Sequence, residues 1–288
     1  MKPAPFAYHA PETVDETLEL LADGEARVLA GGQSLVPLMK FRIAKPSVLV
    51  DLNGVAGLAG VSYDDGTLRI GAATRQQSLV DDAAAARSHP LLRAAAGRAG
   101  YLATRHRGTV GGSLAYAAPW AELTAAAVAL DARIHVRSTR GERVVAAREF
   151  FHGPHETALA PDELLTEVVL PAAAPRSGAG FQEVTTGHGG YLHAAAAATV
   201  TVDDAGRCEA AELVVLGVGP TPARLDVATK LEGTALEEDA LAELDALFAD
   251  LEPPDGVGVS GTYRRRVARA LARRALVDAH AAATGAAA

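Results

Sequence analysis

Apolar residues recur at helical spacing early in the chain. In "PETVDETLELLAD", Val14, Leu18 and Leu21 fall on one face and Thr13 stands three residues before Glu16, which predicts a capped helix. The pattern then shortens. "ARVLA" reads as a strand, "SLVPLMKFRI" as a helix and "SVLVDL" as a second strand, together a small α/β unit. "TLRIGAAT" alternates like a strand, with Thr74 placed to cap a helix over "RQQSLVDDAAAAR", and a further helix is expected from Leu91 to Gly100. Residues 104–119 read as a long polar, glycine-bearing loop, "AELTAAAVALDA" as a buried helix, "RIHVRS" as a strand, and "ELLTEVVLP" as a strand stopped by proline. The small-residue stretch "PAAAPRSGAG" predicts a linker at 171–180, followed by neighbouring strands in "AAAAATVTVD" and "AELVVLGVG" and then helices.

Composition narrows this picture. The 288 residues are 49% apolar, enough for a substantial core divided into two or three units. Residues 1–20 contain no apolar signal core, and no run approaches the ~18 apolar residues of a membrane span, so a cytoplasmic protein is expected. Cys208 is the single cysteine and the nine histidines show no zinc spacing; one thiol cannot hold an iron–sulfur cluster, so a redox metal would sit on another chain. A formal charge of −8 argues against nucleic acid as a partner. The exception is "YRRRVARALARR", which reads as an amphipathic helix carrying Val267 and Leu271, with its arginines in water or facing a partner.

Two loops hold the chemistry. In "VLAGGQSLVPLMK" an apolar run ends at Gly31 and Gly32 before a helix, an arrangement that suits either a plain turn or amide N–H groups presented to an anion. "TRHRGTVGGSLAYAAPWAEL" repeats that logic with Gly111 and Gly112, hydroxyls at Thr109 and Ser113, and positive charge at Arg105 and Arg107, so the two loops could clamp a diphosphate from opposite sides. Glu122 opens the next helix, where its carboxylate either meets sugar hydroxyls or stabilises the helix dipole. Neither a G-x-G-x-x-G nor a Walker pattern is present.

These two loops, with "IGAATR" between them and "YRRRVARALARRAL" near the end, resemble in order the FAD-binding medium subunit of the molybdenum hydroxylases, the group that includes carbon monoxide and xanthine dehydrogenases. The resemblance implies an α+β fold: a two-subdomain, PCMH-type FAD-binding module (1–55 and 56–175) followed by a C-terminal domain (176–288) of antiparallel sheet plus helices. It implies FAD contacts from Ala30, Gly31, Gly32, Gln33, Ser34 and Leu35, and from Thr109, Gly111, Gly112 and Ser113, with Thr74 a further match. Glu122 then lies near the sugar or ribityl hydroxyls and Leu164 or Leu165 against the flavin ring. Tyr191, in "VTTGHGGYLHA", either stacks on or gates the ring or packs at a domain interface, while His188 and His193 read as interface residues. Two departures stand out: relatives often carry Asn or Asp where Ser113 stands, and "ADP" where this chain has Ala117, Ala118 and Pro119. The implied activity is that of an FAD-dependent oxidoreductase subunit with no catalytic acid or base of its own. It passes electrons from an iron–sulfur small subunit, fed by a molybdopterin-binding large subunit, to an external acceptor. A stand-alone flavoenzyme acting on a small organic molecule and a flavin-free scaffold are the other readings.

Overall fold

The computed structural model describes residues 2–187, 189–256 and 258–285; His188 lies outside them. In the first unit, β1 (Ala7–His9), α1 (Val14–Leu21), β2 (Ala26–Leu29), α2 (Leu35–Lys40) and β3 (Val48–Asp51) form a parallel sheet of order β1-β3-β2 with two helices. The expected capping box is present: the Thr13 hydroxyl accepts the Glu16 N–H at 3.1 Å and the Glu16 carboxylate accepts the Thr13 N–H at 3.3 Å. Leu18 and Leu21 are buried against Val50, Leu52 and Leu58. Helix α2 ends sooner than its apolar pattern predicts, because Phe41 leaves the helical region and Arg42 turns to a φ of 58°.

The second unit begins with β4 (Val61–Asp64) and β5 (Thr67–Gly71), runs through helices α3 (Gln76–Asp81), α4 (Ala83–Ser88), α5 (Pro90–Arg98), α6 (Leu102–Arg107), α7 (Val110–Tyr116) and α8 (Glu122–Ala129), and ends with β6 (Arg133–Ser138), β7 (Gly141–Ala146), α9 (Ala147–Phe150), the short pair β8 (Phe151–Gly153) and β9 (Glu156–Thr157), and β10 (Leu164–Leu170). Its antiparallel sheet has the order β4-β5-β10-β6-β7, which puts the last strand in the middle and explains the continuous apolar run "VVL". Two expectations are corrected here. The helix predicted over 75–87 breaks at Asp82, whose carboxylate accepts the N–H groups of Ala84 and Ala85 at 2.9 and 2.7 Å and restarts the chain as α4. The loop expected over 104–119 contains α6 and α7, because Thr109 caps the second of them and its glycines pack closely instead of turning.

The third unit is the antiparallel sheet β11 (Ser177–Thr185), β12 (Leu192–Val202), β13 (Cys208–Leu216) and β14 (Ala223–Leu225), with α10 (Ala228–Leu231), α11 (Glu238–Glu243) and the long α12 (Gly261–Thr284). The linker expected at 171–180 is shorter, since β11 already begins at Ser177. Its glycines serve packing: a Cβ on Gly178 or Gly180 would strike the backbone of α12, at Ala279 or Ala275. The poly-alanine strand β12 is buried on both faces. Ala194, Ala196 and Ala198 share a core with Leu271 and Ala275 of α12, while Ala195 and Ala197 share one with α5 and α8. The arginines of α12 are largely spent within the chain. Arg264 donates to the His193 carbonyl at 2.8 Å, Arg269 pairs with Asp245 at 3.1 Å, and Arg273 pairs with Glu238 at 2.6 Å and Asp245 at 3.0 Å. Among the described residues no helix is long and apolar enough to cross a membrane.

Candidate cofactor-binding site

At the end of β2 the chain passes through Ala30 into the first glycine loop. Gly31 is buried, and a Cβ on it would collide with the Arg107 carbonyl and lie 2.8 Å from Gly108 Cα, so it lets the two loops touch. Gly32 has a φ of 72°, a conformation L side chains rarely adopt. From Gly31 to Leu35, five successive N–H groups donate to no protein acceptor among the described residues. Ser34 stands at the N-cap of α2 with no capping bond from its hydroxyl. Gly31, Gly32 and Gln33 border a cleft of about 320 Å³ that Val36, Asp51 and Arg107 also line. Consecutive free amides beside a guanidinium are the donor set of an anion site.

The second loop works differently from the symmetrical clamp its sequence suggests. Residues 72–76 run alongside 108–111: the Val110 N–H donates to the Thr74 carbonyl, Gly111 to Ala72 and Gln76 to Gly108, each at 2.9 Å. The Thr109 hydroxyl accepts the Gly112 N–H at 3.0 Å, and the Thr109 carbonyl accepts the Ser113 N–H at 3.1 Å. The amides from Val110 to Ser113 are therefore bonded within the fold. Gly111 is helical and needs room rather than a special dihedral, since its Cβ would come within 2.6 Å of the Ala72 methyl. A Cβ on Gly112 would lie 3.3 Å from that of Ala30, so the loops meet at this point as well. The Ser113 hydroxyl makes no bond among the described residues.

Along α7 and beyond it stand the other expected residues. Glu122 opens α8 only 8% exposed, and its carboxyl is raised to about 7, chiefly by burial and further by the charge of Glu183, against the pull of its own backbone amide and of Arg105. Tyr191 is 70% exposed and meets Trp120 edge-on at 5.6 Å. Trp120 in turn packs on His155, and His155 lies 4.4 Å from Tyr116. An aromatic row thus joins the third unit to the second. Leu164 belongs to the core of the first unit and Leu165 to that of the second, both buried. Thr74 is no helix cap: its hydroxyl donates to the Gly60 carbonyl and accepts the Gly60 N–H, both at 2.9 Å, and Arg75 precedes α3 instead. Ala118 is buried, with its carbonyl accepting the Ala121 N–H at 2.9 Å. Sequence reasoning missed Asp51, Asn53 and Arg75. Each looks like an ordinary turn or helix-start residue, and only the fold brings them beneath the first loop.

The chain matches known proteins over nearly its whole length. Residues 4–173 fit the FAD binding domain in molybdopterin dehydrogenase and residues 179–279 the CO dehydrogenase flavoprotein C-terminal domain. The chain belongs to the FAD-binding medium subunits of the molybdenum hydroxylases. It is 40% identical to the 6-hydroxypseudooxynicotine dehydrogenase complex subunit alpha of Paenarthrobacter nicotinovorans, over 97% of this chain and 96% of that one. The carbon monoxide dehydrogenase medium chain of Afipia carboxidovorans is 35% identical, over 98% and 99% of the two chains. Among solved structures, the reconstituted CO dehydrogenase from Oligotropha carboxidovorans superimposes with a TM-score of 0.94 at 33% identity, covering 98% of this chain and 100% of that one. Quinoline 2-oxidoreductase from Pseudomonas putida 86 gives 0.92 at 34% identity, with 99% of each chain covered. As a medium subunit the chain is an FAD-binding oxidoreductase component, and its residues fit that cofactor: free amides for a diphosphate, and hydroxyls and a carboxyl for a polyhydroxylated chain.

Proposed function

We propose that this chain carries electrons through FAD, receiving them from an iron–sulfur partner subunit supplied by a molybdopterin-binding subunit and passing them to an external acceptor. The observation that carries the reading is the cradle of five free amides in a chain that spans nearly the whole of relatives named as a medium chain or a complex subunit. FAD supplies the redox chemistry when bound. The protein's part is placement: Gly31 to Leu35 hold the diphosphate, with Ala30 and Gly112 forming the floor where the loops meet. Ser113 and Glu122 take the sugar and ribityl hydroxyls, and Tyr191 with Trp120 borders the ring at the surface. Leu164, Leu165, Thr74, Thr109 and Gly111 act behind this layer, keeping the two FAD-binding subdomains (1–55 and 56–175) in register beside the C-terminal domain (176–288).

The purified chain should show a flavin spectrum and release FAD rather than FMN on denaturation; a colourless protein that takes up no added FAD would remove the cofactor assignment. Co-expression with the neighbouring genes, followed by gel filtration, tests the rest. Co-elution with iron- and molybdenum-containing subunits is expected. An isolated chain that oxidises an organic substrate with oxygen or NAD and binds no partner would favour the stand-alone reading.

A further inference from the structure

Below the first glycine loop lies a hydrogen-bonded chain of side chains that crosses from the first unit to the second. Tyr8 donates its hydroxyl to one oxygen of Asp51, and the other oxygen accepts the backbone N–H of Asn53 at 2.9 Å and its side-chain amide. That same amide donates to the Ala30 carbonyl at 3.2 Å, while the Asn53 side-chain oxygen accepts one arm of the Arg75 guanidinium. The other arm of Arg75 donates to the Arg107 carbonyl. This is the carbonyl that a side chain on Gly31 would strike. Two main-chain oxygens bordering the cleft, those of Ala30 and Arg107, are thereby held by donors from beneath.

A diphosphate entering the cleft needs donors and positive charge near it and carbonyl lone pairs bound elsewhere. A planar guanidinium is suited to the task because its two arms reach acceptors on different segments at fixed geometry, which an ammonium cannot do. We propose that Arg75 is the positioning residue of the diphosphate cradle: it joins Asn53 of the first unit to the Arg107 carbonyl of the second, so that the Ala30 and Arg107 carbonyls are bound from beneath and do not compete with the amides from Gly31 to Leu35 for the anion's surroundings. The guanidinium is half-buried; burial, then the charge of Arg107, lower its pKa, and Asp51 opposes that shift. This inference rests on the FAD reading above and adds a residue that neither glycine motif contains.

The test titrates the full-length apo-chain with FAD, ADP and riboflavin, measuring flavin fluorescence directly and ADP by competition. Arg75→Gln should weaken FAD and ADP by about 10- to 100-fold while leaving riboflavin within about twofold, because only the first two carry the diphosphate. Arg75→Lys should fall between the variant and the native chain. Asn53→Ala should resemble Arg75→Gln, and the double variant should be little worse than either, as expected of one network. FAD and ADP binding by Arg75→Gln equal to the native chain would overturn the proposal. So would an equal loss of all three ligands, which would mean a general folding defect. A native chain that binds none of the three would instead overturn the FAD reading on which the proposal stands.

Discussion

At the scale of single residues, two glycines and one carboxyl show how far local sequence reaches. The pair Gly31–Gly32 read either as a plain turn or as an anion site, and the two members answer different needs, one a close approach to Arg107 and the other a φ of 72°. Gly31→Ala should therefore separate the loops. We expect FAD affinity to fall at least tenfold and the melting temperature of the apo-chain to drop, both read by titration and calorimetry; unchanged affinity would mean that the loops do not depend on each other. Glu122 makes a pH prediction. Its folded pKa of about 7 lies above the usual value of 4.5, so the folded chain holds this proton more tightly than the unfolded one. The carboxyl costs nothing below the unfolded value and destabilises the fold progressively as pH rises from about 4.5 to 7. At ~1.4 kcal/mol per unit, the whole effect is on the order of 3 kcal/mol. Glu122→Gln should remove that slope, so that the apo variant gains stability over the native chain between pH 5 and 8. A parallel pH dependence for the two proteins would contradict the burial argument. The burial itself was not readable from "WAEL", where the residue looks like an ordinary first-turn acid.

Elements were readable where one periodicity dominated. The capped α1 and the alternating strand β5 agree with their sequence patterns because each has one face to bury, and α8 agrees because its small and apolar residues are buried all round. The misreadings came where polar and small residues masked contacts distant in sequence. "RGTVGGS" looks like a loop to any local rule, yet it forms the start of α7, because Ala72 and Thr74 accept its first amides and Thr109 caps it. The stretch "SGAG" looks like a linker and is a strand on which α12 lies directly. Gly180→Val should push α12 from β11. The overpacking should cost about 3 kcal/mol or more, seen as a lowered denaturant midpoint. A stability equal to that of the native chain would show that the helix has room to move away at little cost. The arginines of α12 agree with the expected amphipathic helix in part: Leu271 is buried and Arg266, Arg269 and Arg274 are exposed, while Arg269 and Arg273 also pair with acids of the segment 238–245, which the spacing did not foretell.

At the scale of the whole molecule, binding should stabilise the fold by mass action, since the cradle is built from both the first and the second unit. Free FAD at about 100 times its dissociation constant should add ~2.7 kcal/mol to the unfolding free energy and raise the melting temperature. FMN, lacking the diphosphate link, should give a clearly smaller shift; equal shifts would mean that the cleft does not read the diphosphate. The sequence alone determined the α+β class, most of the strands and helices, the two loops and, through their order, the family, because these depend on residues near one another along the chain. What only the tertiary structure decided is which groups are still free to bind. Amides look alike in sequence. The Gly111–Gly112 loop spends its N–H groups on Ala72 and on the Thr109 cap, whereas the Gly31–Leu35 loop keeps its own, and Arg75 and Asn53 join them only when two units close on each other. The Thr109 cap is a local bond three residues long, but the Gly111 bond to Ala72 and the Arg75 bonds to Asn53 and Arg107 join residues 22 to 39 positions apart, which no local pattern encodes.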